Sequence, residues 1–119
     1  MSNVERTINN QTFQWDSDKA ELNRRKHGIF QWDSDKAELN RRKHGITFDT
    51  AALVFADENR LERFDDVHSV DEDRWITIGK VDEILFVVYT ERGDITRLIS
   101  ARQATPQERS DYYAGDESY

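Results

Sequence analysis

Apolar and polar residues alternate over short stretches of this chain, and a few apolar runs stand out between charged segments. Phe30-Gln-Trp-Asp33 alternates, which predicts a short strand. Asp33 or Ser34 can then cap a helix running to about Lys43, with Gly45 as its stop. A second helix is expected over roughly 48–56. Thr47 is its N-cap, Asp49 sits near the positive helix end, and Ala51, Ala52, Val54 and Phe55 supply apolar contacts. Leu61–Phe64 reads as a short strand, Arg74–Gly79 alternates in part, and Ile84–Tyr89 is a continuous apolar run suited to a central strand. Ile95–Ser100 is a further strand, and the connections Val81-Asp-Glu83 and Arg92-Gly-Asp94 are short, so the last three strands should form an antiparallel meander. Thr105-Pro-Gln-Glu108 joins an N-cap threonine, a proline at the first helical position and a glutamate three residues on, which starts a last helix carrying Arg109, Tyr112 and Tyr113. The pattern predicts an α+β domain with helices on one side of an antiparallel sheet.

Residues 13–29 and 30–46 are the same 17 letters, FQWDSDKAELNRRKHGI. Identity at every position means a duplication that is either very recent or engineered. Two copies do not make a solenoid, which needs three or more. Removing either copy leaves the same 102-residue chain, still long enough for one core. The division is therefore a polar tail over 1–12, the extra strand–helix copy over 13–29 and the domain proper over 30–119. The second copy joins that domain without an insertion and is expected to hold the native place. The first copy is expected to form a helix over about 17–26 and to allow domain-swapped self-association, since it offers the same contacts to a second molecule.

Composition narrows the classes. The chain has 119 residues, 17 Lys+Arg against 24 Asp+Glu, and no cysteine, which removes disulfides, thiolate nucleophiles and cysteine zinc sites. No apolar run approaches the ~20 residues of a membrane span. Met1-Ser-Asn-Val-Glu-Arg6 has no apolar signal core, so a cytoplasmic location is expected. The net charge of −7 argues against coating nucleic acid non-specifically and leaves room for an enzyme that holds one phosphate in a small basic site. Nine acids against three arginines fall in residues 47–75. A solvated loop is the ordinary meaning of that block, and a docking surface for a basic partner is the sharper one.

Few residues have the chemistry for a reaction. His44, with its copy His27, follows three basic residues at a helix end, where a cation favours the helix dipole; an acid–base or phosphate role is the functional alternative. His68 is the only other histidine and no His-x3-His pair exists, so a metal site is not expected. Arg74, Arg92, Arg97 and Arg102 lie on strands or at strand ends. Each alone suits a solvated strand position, whereas together they can converge on a phosphate, which guanidinium forks bind bidentately. Arg109 and Tyr112 share a helix face. Trp15, Trp32 and Trp75 are expected in the core. No nucleophilic triad, phosphate loop or dinucleotide fingerprint is present.

One set of residues, taken in order, resembles a known family: Phe30-Gln-Trp-Asp33, Lys36-Ala37, Asn40, Lys43-His-Gly45, Phe48, Ala51-Ala52, Phe55-x-Asp57, Asp65-x-x-His68-Ser69, Glu72-x-Arg74, Ile78-Gly79, Val88-Tyr-Thr-Glu-Arg-Gly93, Ile99-Ser-Ala-Arg102-x-Ala104 and Glu108-Arg109-x-x-Tyr112. The pattern is similar to that of the BrnT toxins of type II toxin–antitoxin systems. The resemblance implies a RelE-like α+β fold with a four-stranded antiparallel sheet, N-terminal helices and a C-terminal helix. It implies ribonuclease activity that inhibits translation, and neutralisation by a BrnA-like ribbon-helix-helix antitoxin in a heterotetramer. A ribonuclease of this kind uses the substrate's own 2′-OH and needs no metal or other cofactor. The expected site residues are Arg102 and Arg74 on the phosphate, Arg92 or Arg109 assisting, and His44, Glu91 or Tyr112 in proton transfer. Two other readings stay open: a non-catalytic acidic interaction module, and a duplication variant whose interest is structural.

Overall fold

A computed structural model describes residues 3–7 and 29–115. The elements are β1 (Asn3–Thr7), β2 (Ile29–Asp33), α1 (Ser34–His44), α2 (Phe48–Ala52) tightening into a 3-10 turn (Leu53–Ala56), β3 (Leu61–Phe64), β4 (Trp75–Val81), β5 (Glu83–Arg92), β6 (Ile95–Gln103) and α3 (Pro106–Ala114). The class is α+β, and β4, β5 and β6 form the expected antiparallel meander, with β3 antiparallel on β4.

Three expectations are corrected. Among the described residues the sheet has six strands in the order β1-β2-β6-β5-β4-β3, and it is mixed, because β2 runs parallel to β6 through Ile29↔Ile95, Phe30↔Thr96 and Gln31↔Arg97. Two helices and three strands separate that pair in sequence, enough chain for the crossover that parallel strands require. The tail assigned to residues 1–12 contains a strand: Asn3–Thr7 pairs antiparallel with β2. An edge strand is held by backbone hydrogen bonds to one neighbour and needs no apolar run. Finally, the helices do not share one side. Phe48, Ala51 and Ala52 of α2 pack with Leu85, Val87 and Tyr89 of β5, whereas Tyr112 of α3 packs with Ile78 and Ile84. Alternate residues of β5 point to opposite faces, so α2 and α3 lie on opposite sides of the sheet.

The local signals act as read. Asp33 Oδ1 accepts from the amides of Asp35 (2.8 Å) and Lys36 (3.2 Å), and Thr105 and Glu108 form a reciprocal capping box. Gly45 closes α1 at φ +74°, where its amide donates to the Arg41 carbonyl at 2.8 Å. That left-handed backbone strains any residue with a Cβ. Gly79 is needed for a different reason, since a Cβ there would stand 2.6 Å from Val54 Cγ1. Trp32 is buried and Trp75 is packed against the core.

The second copy of the repeat forms β2 and α1, so it holds the place in the sheet. The helix expected over 17–26, Trp15 and His27 lie outside the described residues. No described helix is long and apolar enough to cross a membrane.

Candidate functional site

Two polar side chains finish the sheet where strand pairing stops. β2 pairs with β6 only as far as Arg97, and beyond it α1 lies along β6. There the buried Asn40 side chain takes the part of a strand: Nδ2 donates to the Ala101 carbonyl (2.8 Å) and Oδ1 accepts from the Ala101 amide (3.0 Å). Nδ2 also donates to the Ile46 carbonyl at 3.0 Å, which ties the end of α1 to the same point. At the other side β3 begins opposite Ile78, and before it Asp57 Oδ2 accepts from the Lys80 amide at 2.8 Å. The same oxygen accepts from the Tyr112 hydroxyl at 2.6 Å.

The helix α3 covers one end of its sheet face, and the other end carries arginines. Register places Arg102 beside Phe86 and Arg97 beside Thr90, with Gln31 beyond Arg97. Arg74 immediately precedes β4, and Arg92 ends β5. Glu72 ties the group together. Hydrogen bonds from Arg92 Nε (2.9 Å) and Nη2 (3.1 Å) hold its carboxyl below the usual range, and the charges of Arg92, Arg74 and Arg97 add to that. Arg97 Nη1 donates to Gln31 Oε1 at 2.6 Å. The half-buried Arg74 bears on Glu72 through its charge alone; its guanidinium makes no hydrogen bond or ion pair among the described residues.

Arg102 is more constrained. Its Nη1 and Nη2 donate to the two oxygens of Glu108 at 2.8 and 2.9 Å, Nη1 also reaches the Gln103 carbonyl, and the guanidinium lies 3.8 Å from the Phe86 ring centroid. These hydrogen bonds hold Glu108 ionised below its ordinary range, while Glu108 Oε1 also accepts from the Thr105 amide. One carboxylate thus caps α3 and fixes the guanidinium plane. The Nε–H of Arg102 remains unengaged among the described contacts.

A model of the family described as "ribonuclease toxin, BrnT, of type II toxin-antitoxin system" matches residues 32–108. The chain belongs to the BrnT family. The match starts at Trp32, inside the second copy of the repeat, and ends at Glu108, the partner of Arg102. No curated protein matches the chain. BrnT membership makes this one of a family of ribonuclease toxins and implies an antitoxin partner.

Against that family background, the seven expected site residues separate. Arg74, Arg92 and Arg102 share the open face. His44 ends α1 and borders a groove with Ile99 and Ser100 of β6, and register with Val88 puts Ser100 on the arginine face as well. Glu91 is exposed and follows the opposite alternation, beside Tyr89, whose phenol is pushed up by burial and further by Glu62 and Glu91. Tyr112 is buried in the α3 core with its hydroxyl committed to Asp57. Arg109 donates to the Ala104 carbonyl at 3.3 Å, outside the group around Glu72. The sequence pattern included Glu72-x-Arg74 but gave Glu72 no role in the site. It gave Asn40 no role.

Proposed function

We propose that this chain is a metal-independent ribonuclease that grips a scissile RNA phosphate with its arginine face. The observation that carries this reading is the convergence of Arg74, Arg92 and Arg97 on Glu72, on the sheet face that also carries Arg102, with the Arg74 guanidinium unpaired among the described residues. In the proposed step the 2′-oxygen attacks the adjacent phosphorus while the bond from phosphorus to O5′ breaks. A base takes the 2′-OH proton, an acid gives one to O5′, and the products carry a 2′,3′-cyclic phosphate and a 5′-OH. Arg74 and the open edge of Arg102 neutralise the phosphate oxygens as charge builds on them. Arg92 is positioned by Glu72 and assists. Of the three proton-transfer candidates, His44 alone borders the strand edge that carries Ser100 and Arg102, and imidazole serves as either acid or base. Glu72 suits neither role well, because its lowered pKa makes it a weak base. Action on translation and neutralisation by a BrnA-like ribbon-helix-helix antitoxin, as a heterotetramer, belong to the same proposal. The acidic loop over 65–73, with Val67 and Val70 strongly exposed, suits a basic partner carrying apolar side chains.

One observation favours the non-catalytic alternative: Glu108 and Glu72 already occupy the forks of Arg102 and Arg92. Cleavage of a single-stranded RNA in EDTA decides between them. The ribonuclease reading expects a cyclic-phosphate product, no cut where a 2′-deoxy residue precedes the scissile bond, loss of most activity in Arg102→Ala and partial return in Arg102→Lys. An RNA left intact by the wild type supports the interaction module.

A further inference from the structure

Helix α1 bears a second feature that neither its capping nor the arginine face explains. The groove between α1 and β6, about 540 Å³, is lined on the helix side by Lys36, Leu39, Arg42, Lys43 and His44 and on the strand side by Ile99 and Ser100, with no carboxylate lining it among the described residues. The chain as a whole carries a net charge of −7. Basic residues in the last turn of a helix are accounted for by the dipole, which covers Arg42, Lys43 and His44. Lys36 is in the first turn, where the dipole disfavours a cation, and Leu39 is 63% exposed, so both run against ordinary helix design. Their spacing puts Lys36, Leu39 and Lys43 on one stripe with Asn40, whose two hydrogen bonds with Ala101 fix that stripe against β6. Glu38 does not neutralise the stripe, because Arg41 and Arg42 occupy it and pull its carboxyl down to about 2. The Lys36, Lys43 and His44 side chains make no ion pair among the described residues.

Cations around an apolar platform suit phosphates flanking an unstacked base. Ser100 belongs to this groove and, by register, to the arginine face, so a strand gripped there continues past Ser100 into the groove. We propose that the α1–β6 groove is a binding subsite for single-stranded nucleic acid on one side of the scissile phosphate, with Lys36 and Lys43 on the backbone and Leu39 under a base. The proposal rests on the ribonuclease reading for its substrate, and its test does not depend on cleavage.

Fluorescence anisotropy with a 2′-O-methyl oligonucleotide, which cannot be cut, measures the subsite directly. In the full chain, Lys36→Gln/Lys43→Gln should raise Kd at least tenfold and reduce the slope of log K against log salt by about 1.4, at about 0.7 per lost phosphate contact. A control that removes the same charge elsewhere, Arg63→Gln/Lys80→Gln, should change Kd less than twofold. Equal effects in the two pairs, or no effect in the first, overturn the subsite. So does displacement of the oligonucleotide by an acidic peptide at lower concentration than by RNA, which would make the groove a protein-docking site. Lysine-dependent binding by a wild type that cuts no RNA supports the groove and overturns the ribonuclease reading instead.

Discussion

The two faces of the sheet come from the same strands, yet they are finished differently. On one face Leu85, Val87, Tyr89 and Leu98 lie under α1 and α2 and are closed from solvent. On the other, α3 covers Ile78 and Ile84, and the remaining positions stay half-buried and carry Arg97, Ser100, Arg102 and, just ahead of β4, Arg74. Where a helix covers the sheet, alternation delivers a core. Where cover ends, the same alternation delivers a row of cations that runs on to Arg92, with Glu72 fixing Arg92 and Glu108 fixing Arg102. The edge between the faces is held by one carboxamide, Asn40, which binds the backbone of the residue between Ser100 and Arg102.

Breaking that edge should cost most. Asn40→Ala leaves the Ala101 amide and the Ala101 and Ile46 carbonyls without their partner, and buried groups so orphaned cost on the order of 3 kcal/mol together. Urea unfolding should show the loss as a lower midpoint. Asn40→Asp keeps the acceptor for the Ala101 amide but turns a buried carboxylate oxygen on two carbonyls, and at neutral pH it should lose at least as much. On the covered face, Gly79→Ala drives a methyl into Val54 Cγ1 and against Arg60 Cβ, and overpacking of that kind costs about 2 kcal/mol in the same assay.

The duplication tests the outer edge. β1 and β2 pair with Thr7 opposite Ile29, and residues 8–28 lie between them. Deleting 13–29 puts Thr12 where Ile29 stood and leaves Ile8-Asn-Asn-Gln11 as a four-residue hairpin loop. Loop-closure scaling favours the shorter chain by about 1.5 kcal/mol. The 102-residue form should therefore be the more stable, and light scattering at matched concentrations should find it less self-associated than the full chain. Equal, monomeric masses would remove the domain-swapping proposal.

The smallest stability effect is expected on the open face. Glu108→Gln keeps a capping side chain and frees the Arg102 fork, for a loss of about 1 kcal/mol at neutral pH. Because the folded protein holds this carboxyl below its ordinary 4.5, its contribution is complete above that pH and is lost as pH falls through the lowered value. The difference in melting temperature between wild type and variant should stay level from pH 7 to 5 and shrink below about 4.5. A gap that widens in acid would contradict the pairing.

These contrasts also mark what was legible in the sequence. Leu61–Phe64, the cap at Asp33, the stop at Gly45 and the Thr105–Glu108 box were readable because each is set by neighbours within a few residues. The strand at Asn3–Thr7 and the parallel pairing of β2 with β6 were not, since both depend on a partner strand that local alternation does not name. Arg74, Arg92, Arg97 and Arg102 were grouped from strand position, and they lie on one sheet face. Their partners were missed because a glutamate that caps a helix, or sits in an acidic loop, shows no sign of also binding an arginine on a strand. Asn40 was silent for the same reason: a polar residue in a polar helix looks solvated until the edge of β6 is placed beside it.

The uncovered face is proposed to grip the scissile phosphate. Arg74 tests it most directly, because its guanidinium has no protein partner among the described residues and its removal should leave the melting temperature unchanged within a degree or so. Single-turnover cleavage of a single-stranded RNA in EDTA should fall about 100-fold in Arg74→Ala, the scale of losing one charge-stabilising donor. Wild-type cleavage rates in a folded Arg74→Ala would contradict the account.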